Sequence, residues 1–578
     1  MSRKIAWHFY PSANVRFFLD EKKCDEIFFS DDGSFSLCSN CCIFAVTNEG
    51  VGRICRQPCL TTTAHQMKIL SNSDIKEIEK YTIDNDGVTS IQLVERAARA
   101  IADEVAGYCN DNTPLMVFAG WGNNGADALE TARLLASRGY APEVFLFNIG
   151  GNRLSPECKL MRDRLAACEA AYTLHEVTGE TPFTFPEPTA NAVVIDGIFG
   201  SGLNRPMPTP FQLISQNLNR SGAFIISIDV PSGLLDGFNG DTPRNNMVHA
   251  GLTLVLGAPR LSFFIEDNAA VVGQWKLLDI GLNSAAIRNA PLTYWMVQSK
   301  DVRRYLRPRD PWSNKSNYGD ALIAGGSHGM GGATVLAARG CLRSGAGKVT
   351  VYGPQSLYNT VQCAVPSAMM RTDAGSEHLT DIPHESHYSA FGIGPGLEVN
   401  DDTAEAVGRF LKTMSANPRP VVVDAGALGC IAARPAMLEY LPMMSILTPH
   451  VGEFDRIFGK HFSHEARLKK AIEIAKYYQI IIVLKGRYTA IVRPDEKVFF
   501  NTSGTPAMAT PGSGDVLTGI MTGFLAQGFK PEMAAFLACY IHGIAGEIAA
   551  ESHGEYGVMA EDIAANVGRA ITFIANGE

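Results

Sequence analysis

From about residue 114 the chain alternates short apolar runs with segments whose apolar positions recur at helical spacing. Residues 115–119, 144–147, 192–195, 224–228 and 252–256 are short, rich in β-branched or aromatic side chains, and bounded by Gly, Pro or Asn. Between them, 127–137 and 155–171 carry helical spacing. Continuous apolar strands alternating with helices predict a parallel sheet covered on both faces. The pattern restarts further on, with strands predicted at 321–326, 348–352, 421–423, 446–447 and 480–484 and a helix over 333–344. Residues 283–310 are polar and Pro-containing, as an interdomain connection would be. The predicted class is α/β, with two three-layer domains over 67–295 and 296–578.

Residues 1–66 share none of this periodicity. They hold Cys24, Cys38, Cys41, Cys42, Cys55 and Cys59, and the spacings Cys38/Cys41 and Cys55/Cys59 would allow four thiolates on zinc. The plainer alternative is an extension with no packed core, or one absent from the working protein. Met67 opens a better beginning. Residues 67–70 read as a short strand or arm, and Ser73 or Asp74 as the cap of a helix carrying Ile75, Ile78 and Glu79. The functional protein is expected to start at or near Met67.

Composition narrows the class. A chain of 578 residues exceeds one hydrophobic core, and 46% hydrophobic with 19% charged residues is globular, not disordered. The seven cysteines after residue 66 stand singly, which predicts reduced thiols. A formal net charge of −9 argues against nucleic-acid binding on a broad basic surface. No apolar stretch is expected to reach the roughly 20 residues of a membrane span, and the basic N-terminus lacks the apolar core of a secretory signal. A cytoplasmic protein without membrane or nucleic-acid partners, and forming a homo-oligomer, is the expectation.

In a parallel sheet ligands bind beyond the carboxyl ends of the strands. Three predicted strand ends in the first half are chemically unusual. One is Gly120-Trp121-Gly122-Asn123-Asn124-Gly125-Ala126-Asp127, where glycines allow close backbone approach and the following helix N-terminus favours an anion. The others are Asp196-Gly197-Ile198-Phe199-Gly200-Ser201-Gly202-Leu203 and Asp229-Val230-Pro231-Ser232-Gly233. Each ends an apolar strand on a carboxylate, where burial and neighbours retune acidity.

These motifs resemble the NAD(P)H-hydrate epimerase family, the YjeF N-terminal domain, over roughly residues 67–290. The resemblance implies a Rossmann-like fold and a potassium ion held by Asn124, Asp196 and Ser232. It implies substrate contacts from Asn123, Asn124, Gly125, Ala126 and Asp127, and from Gly200, Ser201, Gly202, Leu203, Asn204, Arg205 and Pro206, with Asp229 as the catalytic group at the reacting ring. The hydrate is a hemiaminal, so one proton-transferring carboxylate suffices to assist loss and return of its hydroxyl. The family usually carries Gly-Gly-Asp-Gly where this chain has Gly125-Ala126-Asp127-Ala128, and the two added methyl groups are expected to narrow the loop.

In the second half the sharpest motif is Gly504-Thr505-Pro506-Ala507-Met508-Ala509-Thr510-Pro511-Gly512-Ser513-Gly514-Asp515. A glycine turn runs straight into an apolar helix, so free amides and the helix dipole face an anion. Asp515, in the first turn, is placed to take a proton from a hydroxyl attacking a terminal phosphate. With Gly325-Gly326, Gly394-Pro395-Gly396, Asp424-Ala425-Gly426, Thr448-Pro449-His450 and Leu484-Lys485-Gly486, this half resembles the ribokinase-like superfamily. Within it, the likeness is to ADP- or ATP-dependent NAD(P)H-hydrate dehydratases. The resemblance implies nucleotide, with Mg2+, on Lys485, Gly486, Arg487, Tyr488, Thr489 and Gly514. It implies the hydrate near Ala333, Gly396, His450 and the catalytic Asp515, with phosphorylation of the hydrate's hydroxyl followed by elimination. The family's His-Lys-Gly before the first strand is here Asn314-Lys315-Ser316, which predicts slower turnover if that His touches substrate. The alternative is a ribokinase-like small-molecule kinase whose first domain only binds.

Overall fold

The computed structural model describes residues 67–577 apart from 111, 150–152, 181–182, 238, 241 and 292. In residues 1–65, a separate unit, it describes only short strands such as Ile43–Thr47 and Gly50–Ile54, paired antiparallel. The six early cysteines lie outside the described residues.

The first domain is built on seven strands: β1 Leu115–Ala119, β2 Glu143–Phe147, β3 Thr173–Val177, β4 Val193–Gly197, β5 Phe224–Ile228, β6 Leu252–Leu256 and β7 Gln274–Leu278. They pair in the order β3-β2-β1-β4-β5-β6-β7, all parallel. This is the Rossmann order with one strand added, and the chain reverses direction between β1 and β4, where ligand crevices form. Alternating side chains serve two cores. Val117, Ala119, Val144, Leu146 and Ile195 face one helical layer, whereas Met116, Phe118, Phe145, Phe147 and Val194 face the other. β3 and β7 are half exposed, with polar residues on one face, so neither forms the continuous apolar run by which the other strands are recognised.

The second domain holds β8 Tyr294–Val297, β9 Asp320–Ala324, β10 Lys348–Gly353, β11 Met369–Thr372, β12 Ala390–Ile393, β13 Val421–Val423, β14 Ile446–Leu447, β15 Ile481–Leu484, β16 Ala490–Val492 and β17 Val498–Asn501. Their order is β11-β10-β9-β12-β13-β14-β15-β16-β17-β8, with Met67–Lys68 as an eleventh, antiparallel edge strand. A boundary at 295/296 cuts through β8, which pairs with β17 and belongs wholly to the second sheet. Residues 283–310 are also more structured than their polarity implied, containing a helix at Ser284–Asn289 besides β8. The 67–70 arm is thus a strand of the far domain. The helix after it starts at Asn72, capped by Ser71 with Asp74 completing a capping box, not by Ser73 or Asp74.

Pro531–His553 is long and apolar enough to span a membrane, contrary to the sequence expectation, but 83% of its most apolar window is buried in the domain core. A single apolar cluster joins the domains, with Phe263, Phe264 and Val271 of the first packed with Leu484, Val498 and Phe500 of the second.

Two candidate active sites

The first site forms where β1 and β4 end side by side, with Gly197 opposite Ala119. Its loops touch so closely that side chains are excluded. A Cβ on Gly120 would lie 1.9 Å from Ile198 O, and one on Gly200 2.9 Å from the Asn124 amide. Asp196 is fully buried, and its carboxylate accepts from Ser232 Oγ (2.5 Å), Ser232 N (2.9 Å), Ser227 Oγ (2.8 Å) and Ile198 N (3.3 Å). Burial raises its pKa against the pull of those hydrogen bonds. Asp229 follows β5 in a left-handed conformation, φ +62°, a costly one for a side chain with a Cβ and frequent where function demands it. Its Oδ2 accepts from Ser201 N (3.1 Å) and its Oδ1 from Arg260 Nη2 (2.9 Å). Arg260 is 1% exposed and also donates to Ala258 O and Asn72 Oδ1.

The loops expected to meet do meet here: Asn124, Asp196, Gly200, Ser201, Asp229 and Ser232 share one crevice. Asn204, Arg205 and Pro206, which follow Gly200–Leu203 in the chain, are exposed. Ala126 departs from expectation. Its methyl is in the core and its amide bonds Gly122 O, so its side chain offers a ligand nothing. Ala128 is likewise fully buried, packed toward Gly197. Both methyls are fully buried in a stretch of helix Asn123–Ser137 that is covered on every side from Gly125 to Ala132.

Two groups escaped sequence reasoning. Arg260 sits in a loop without motif character. Glu79 lies on a helix distant in sequence, yet its pKa is raised to about 7 by burial and by Asp229, with Arg260 opposing. Asp127 is pushed well above the carboxylate range by burial and by the same two acids. Only apolar spacing around Glu79 was visible in the sequence, and that located a helix, not a site.

A potassium ion fits this crevice in part. Asn124 Nδ2 is buried without a partner, and rotation of the amide would present its oxygen there instead. Asp196, however, already receives four donors, about what a carboxylate accommodates. No cluster of three His, Cys, Asp or Glu among the described residues is arranged to hold an ion.

The second site lies beyond the ends of β9, β12, β13 and β15. Helices Gly331–Arg343 and Ser513–Ala526 run parallel in contact: a Cβ on Gly519 would lie 1.9 Å from Ala337 O, and one on Gly512 2.3 Å from Leu336. Ala333, one turn before Ala337, therefore sits beside the start of helix Ser513–Ala526. It lies against Gly396, where an added Cβ would stand 3.0 Å from the Ala333 methyl. Gly512 caps the second helix at φ +89°, and Asp515 is its third residue.

Lys485 ends β15 with its ammonium 3.0 Å from Asp424 Oδ1, and Thr518 Oγ1 donates to Asp424 Oδ2 at 2.6 Å. Burial works against the lysine's charge, but Asp424, Glu453 and Asp515 outweigh it and raise its pKa. A Cβ on Gly514 would meet Lys485 Nζ at 3.2 Å, so the lysine stands over the helix N-terminus. Asp515 is raised to about 7 by burial, Asp424 and Glu453, with Lys485 opposing. His450 caps helix Val451–Phe458 through Nδ1, accepting from Gly452 N (3.0 Å) and Glu453 N (3.4 Å).

A cavity of about 710 Å³ collects Lys485, Gly486, Arg487, Thr489, His450 and Gly514. Tyr488 does not join them. It turns to the opposite side and lines a smaller cavity against the first domain. His542, on the floor of the large cavity, is held neutral with a pKa lowered by burial to about 4, and contacts Ser513 Oγ at 3.3 Å. Sequence reasoning did not single it out.

Fold and sites together define a two-domain α/β enzyme, with a Rossmann-like first domain and a ribokinase-like second. Residues 90–262 match the YjeF-related protein N-terminus family, and residues 321–569 the family described as NAD(P)H-hydrate dehydratase. The bifunctional NAD(P)H-hydrate repair enzyme Nnr of Moorella thermoacetica is 31% identical over 521 residues, covering 86% of this chain and 95% of the relative. That of Coxiella burnetii is 30% identical, covering 86% and 97%. The Bacillus subtilis ADP/ATP-dependent NAD(P)H-hydrate dehydratase co-crystallised with ATP/Mg2+ is 34% identical over 48% of this chain and 97% of its own, with a TM-score of 0.42. The chain belongs to the bifunctional NAD(P)H-hydrate repair enzyme family, with an epimerase-type first domain and a dehydratase-type second.

Proposed function

We propose that the protein interconverts the R and S hydrates of NADH and NADPH in its first domain and dehydrates the S form at the expense of ADP or ATP in its second. The observation that carries this reading is Lys485 Nζ standing over Gly514 at the N-terminus of the helix that presents Asp515. Lys485 and the helix amides hold the nucleotide's phosphates, with Gly486, Arg487 and Thr489 along its length. Asp515, near neutral in acidity, accepts the proton of the hydrate's hydroxyl as that oxygen attacks the terminal phosphorus. The bond from phosphorus to the bridging oxygen breaks and the shortened nucleotide leaves. The ring nitrogen's lone pair then expels phosphate, and loss of a ring proton restores the dihydronicotinamide. Magnesium, travelling with the nucleotide, would neutralise phosphate charge, with Asp424 and Glu453 the acids nearest to Asp515 and Lys485.

In the first domain Asp229, fixed by Arg260 and Ser201, faces the reacting ring and moves the proton that accompanies loss and return of the hydroxyl. Loops 123–127 and 200–206 hold the rest of the substrate. Potassium would be held by Asn124 with Ser232 and Asp196, provided Asp196 releases one of its four donors, and would organise the loops.

The test is incubation with mixed hydrate epimers plus ADP or ATP, following reduced-cofactor absorbance faster than spontaneous epimerisation. Conversion of both epimers with release of inorganic phosphate is the expected result. Conversion of half would mean that the first site is inactive, and a stable phosphate ester would mean kinase chemistry instead.

A further inference from the structure

The loop at residues 485–489 is backed by the first domain. Lys485, Gly486, Arg487 and Thr489 line the large cavity, while Tyr488 faces Phe264 and Trp275. Trp275 Nε1 donates to Tyr488 Oη at 3.0 Å, and the rings of Phe264 and Tyr488 meet edge to face with centroids 5.0 Å apart. Behind the loop is a cavity of about 140 Å³. Its wall includes His464, 4% exposed, neither of whose ring nitrogens makes a hydrogen bond, although Nε2 lies 3.8 Å from Glu266 Oε2. Glu266, also from the first domain, borders both cavities, and a Cβ on Gly486 would lie 3.8 Å from its carboxylate.

We propose that the first domain completes the nucleotide subsite of the second: Phe264 and Trp275 set the loop through Tyr488, and Glu266 accepts a sugar hydroxyl of the nucleotide. The proposal rests on reading residues 485–489 as the nucleotide loop. A carboxylate only accepts hydrogen bonds and repels phosphate, so the phosphates belong with Lys485 and Gly514 and Glu266 is left to the uncharged sugar. Tyr488 is a positioning residue. A loop anchored on a neighbouring domain loses less conformational freedom when it closes on a ligand, and affinity gains accordingly. Nucleotide binding in one domain then depends on the folded state of the other.

The experiment uses the full chain. Trp275→Phe removes the indole donor and keeps a ring; Tyr488→Phe removes its acceptor. Dehydration of the S hydrate is followed against ATP concentration, with epimerisation of the R hydrate by the Trp275→Phe preparation as the check on folding. Each single change is expected to raise KM for ATP roughly two- to tenfold, the span of one neutral hydrogen bond, and to move KM more than kcat. The double variant should be no worse than either single. Glu266→Ala should raise KM for ATP more than KM for 2′,3′-dideoxy-ATP. An unchanged KM in Trp275→Phe, or additive losses in the double variant, would overturn the anchoring; equal rises for both nucleotides would overturn the role of Glu266. Lys485→Met separates this from the underlying reading. If it leaves KM for ATP unchanged, the loop does not carry nucleotide; if it raises KM while Trp275→Phe does not, the interdomain proposal alone fails.

Discussion

Asp229 and Arg260 form an ion pair sealed from solvent, Oδ1 to Nη2 2.9 Å, with side chains 8% and 1% exposed. The pair holds a carboxylate that the backbone already presents from a left-handed turn. Arg260 also donates to Asn72 Oδ1, and the backbone N–H of Asn72 donates to Asp236 Oδ2. Asp229 is thus tied to the helix that follows the edge strand of the second domain.

Arg260→Met tests that tie. Removing one partner of a buried pair leaves an uncompensated charge and typically costs about 3–5 kcal/mol. Epimerisation should fall by orders of magnitude and thermal unfolding should shift down, while S-hydrate dehydration at low temperature stays near the parent rate. Retained epimerisation would show that Asp229 needs no counter-charge.

Asp515 carries a pH prediction. Its native pKa of about 7 lies above the ordinary 3.8, so the native state binds more protons than the unfolded state between those values. Stability from this group is therefore greatest below about 4 and declines as pH rises to about 7. Activity runs the other way, since the base must be ionised. Asp515→Asn should abolish dehydration by at least about 100-fold yet be more stable than the parent at pH 8 by roughly 1–3 kcal/mol, with the gap closing toward pH 4. Denaturant unfolding at the two pH values, without nucleotide, reads this directly.

The central strands were legible because both faces are buried: β1, β5, β6, β13 and β14 fall where their apolar runs placed them. Edge strands such as β3 and β11, half polar, carry no such run. Asp229 and Lys485 were marked by turns at strand ends and Asp515 by a glycine turn entering a helix, all local signals. Arg260, Glu79 and Glu266 reach their sites through tertiary packing, which leaves no pattern around them in the chain. Tyr488 shows the converse failure. The family resemblance placed it with the nucleotide, but the turn at residues 486–488 directs its ring toward the first domain, where Trp275 bonds its hydroxyl.

Asn124 predicts the monovalent-cation response. If its buried, unpartnered amide is the cation ligand, replacing potassium by choline should slow epimerisation and leave dehydration unaffected. Asn124→Ala should be slow in either salt. A variant that still responds to potassium would move the ion elsewhere in the crevice.

Lys485 and Asp424 give the last prediction. The ammonium has its carboxylate partner at 3.0 Å, and Thr518 fixes the other carboxylate oxygen at 2.6 Å, so Asp424 aims the lysine at Gly514. Asp424→Asn keeps the shape and removes the charge. Lys485 then loses its largest support against burial and keeps Glu453 and Asp515 as counter-charges, while Asp515 loses the neighbouring carboxylate that helped raise its pKa. That draws Asp515 toward ion pairing, lowers its pKa and weakens it as a base. The expected outcome is a dehydration rate reduced about 10–100-fold, on the scale of general-base losses, with its pH midpoint displaced below about 7. Epimerisation should be unaffected. A rate loss with an unmoved midpoint would mean that Asp424 acts on the nucleotide's metal or phosphates, not through Lys485 on the base.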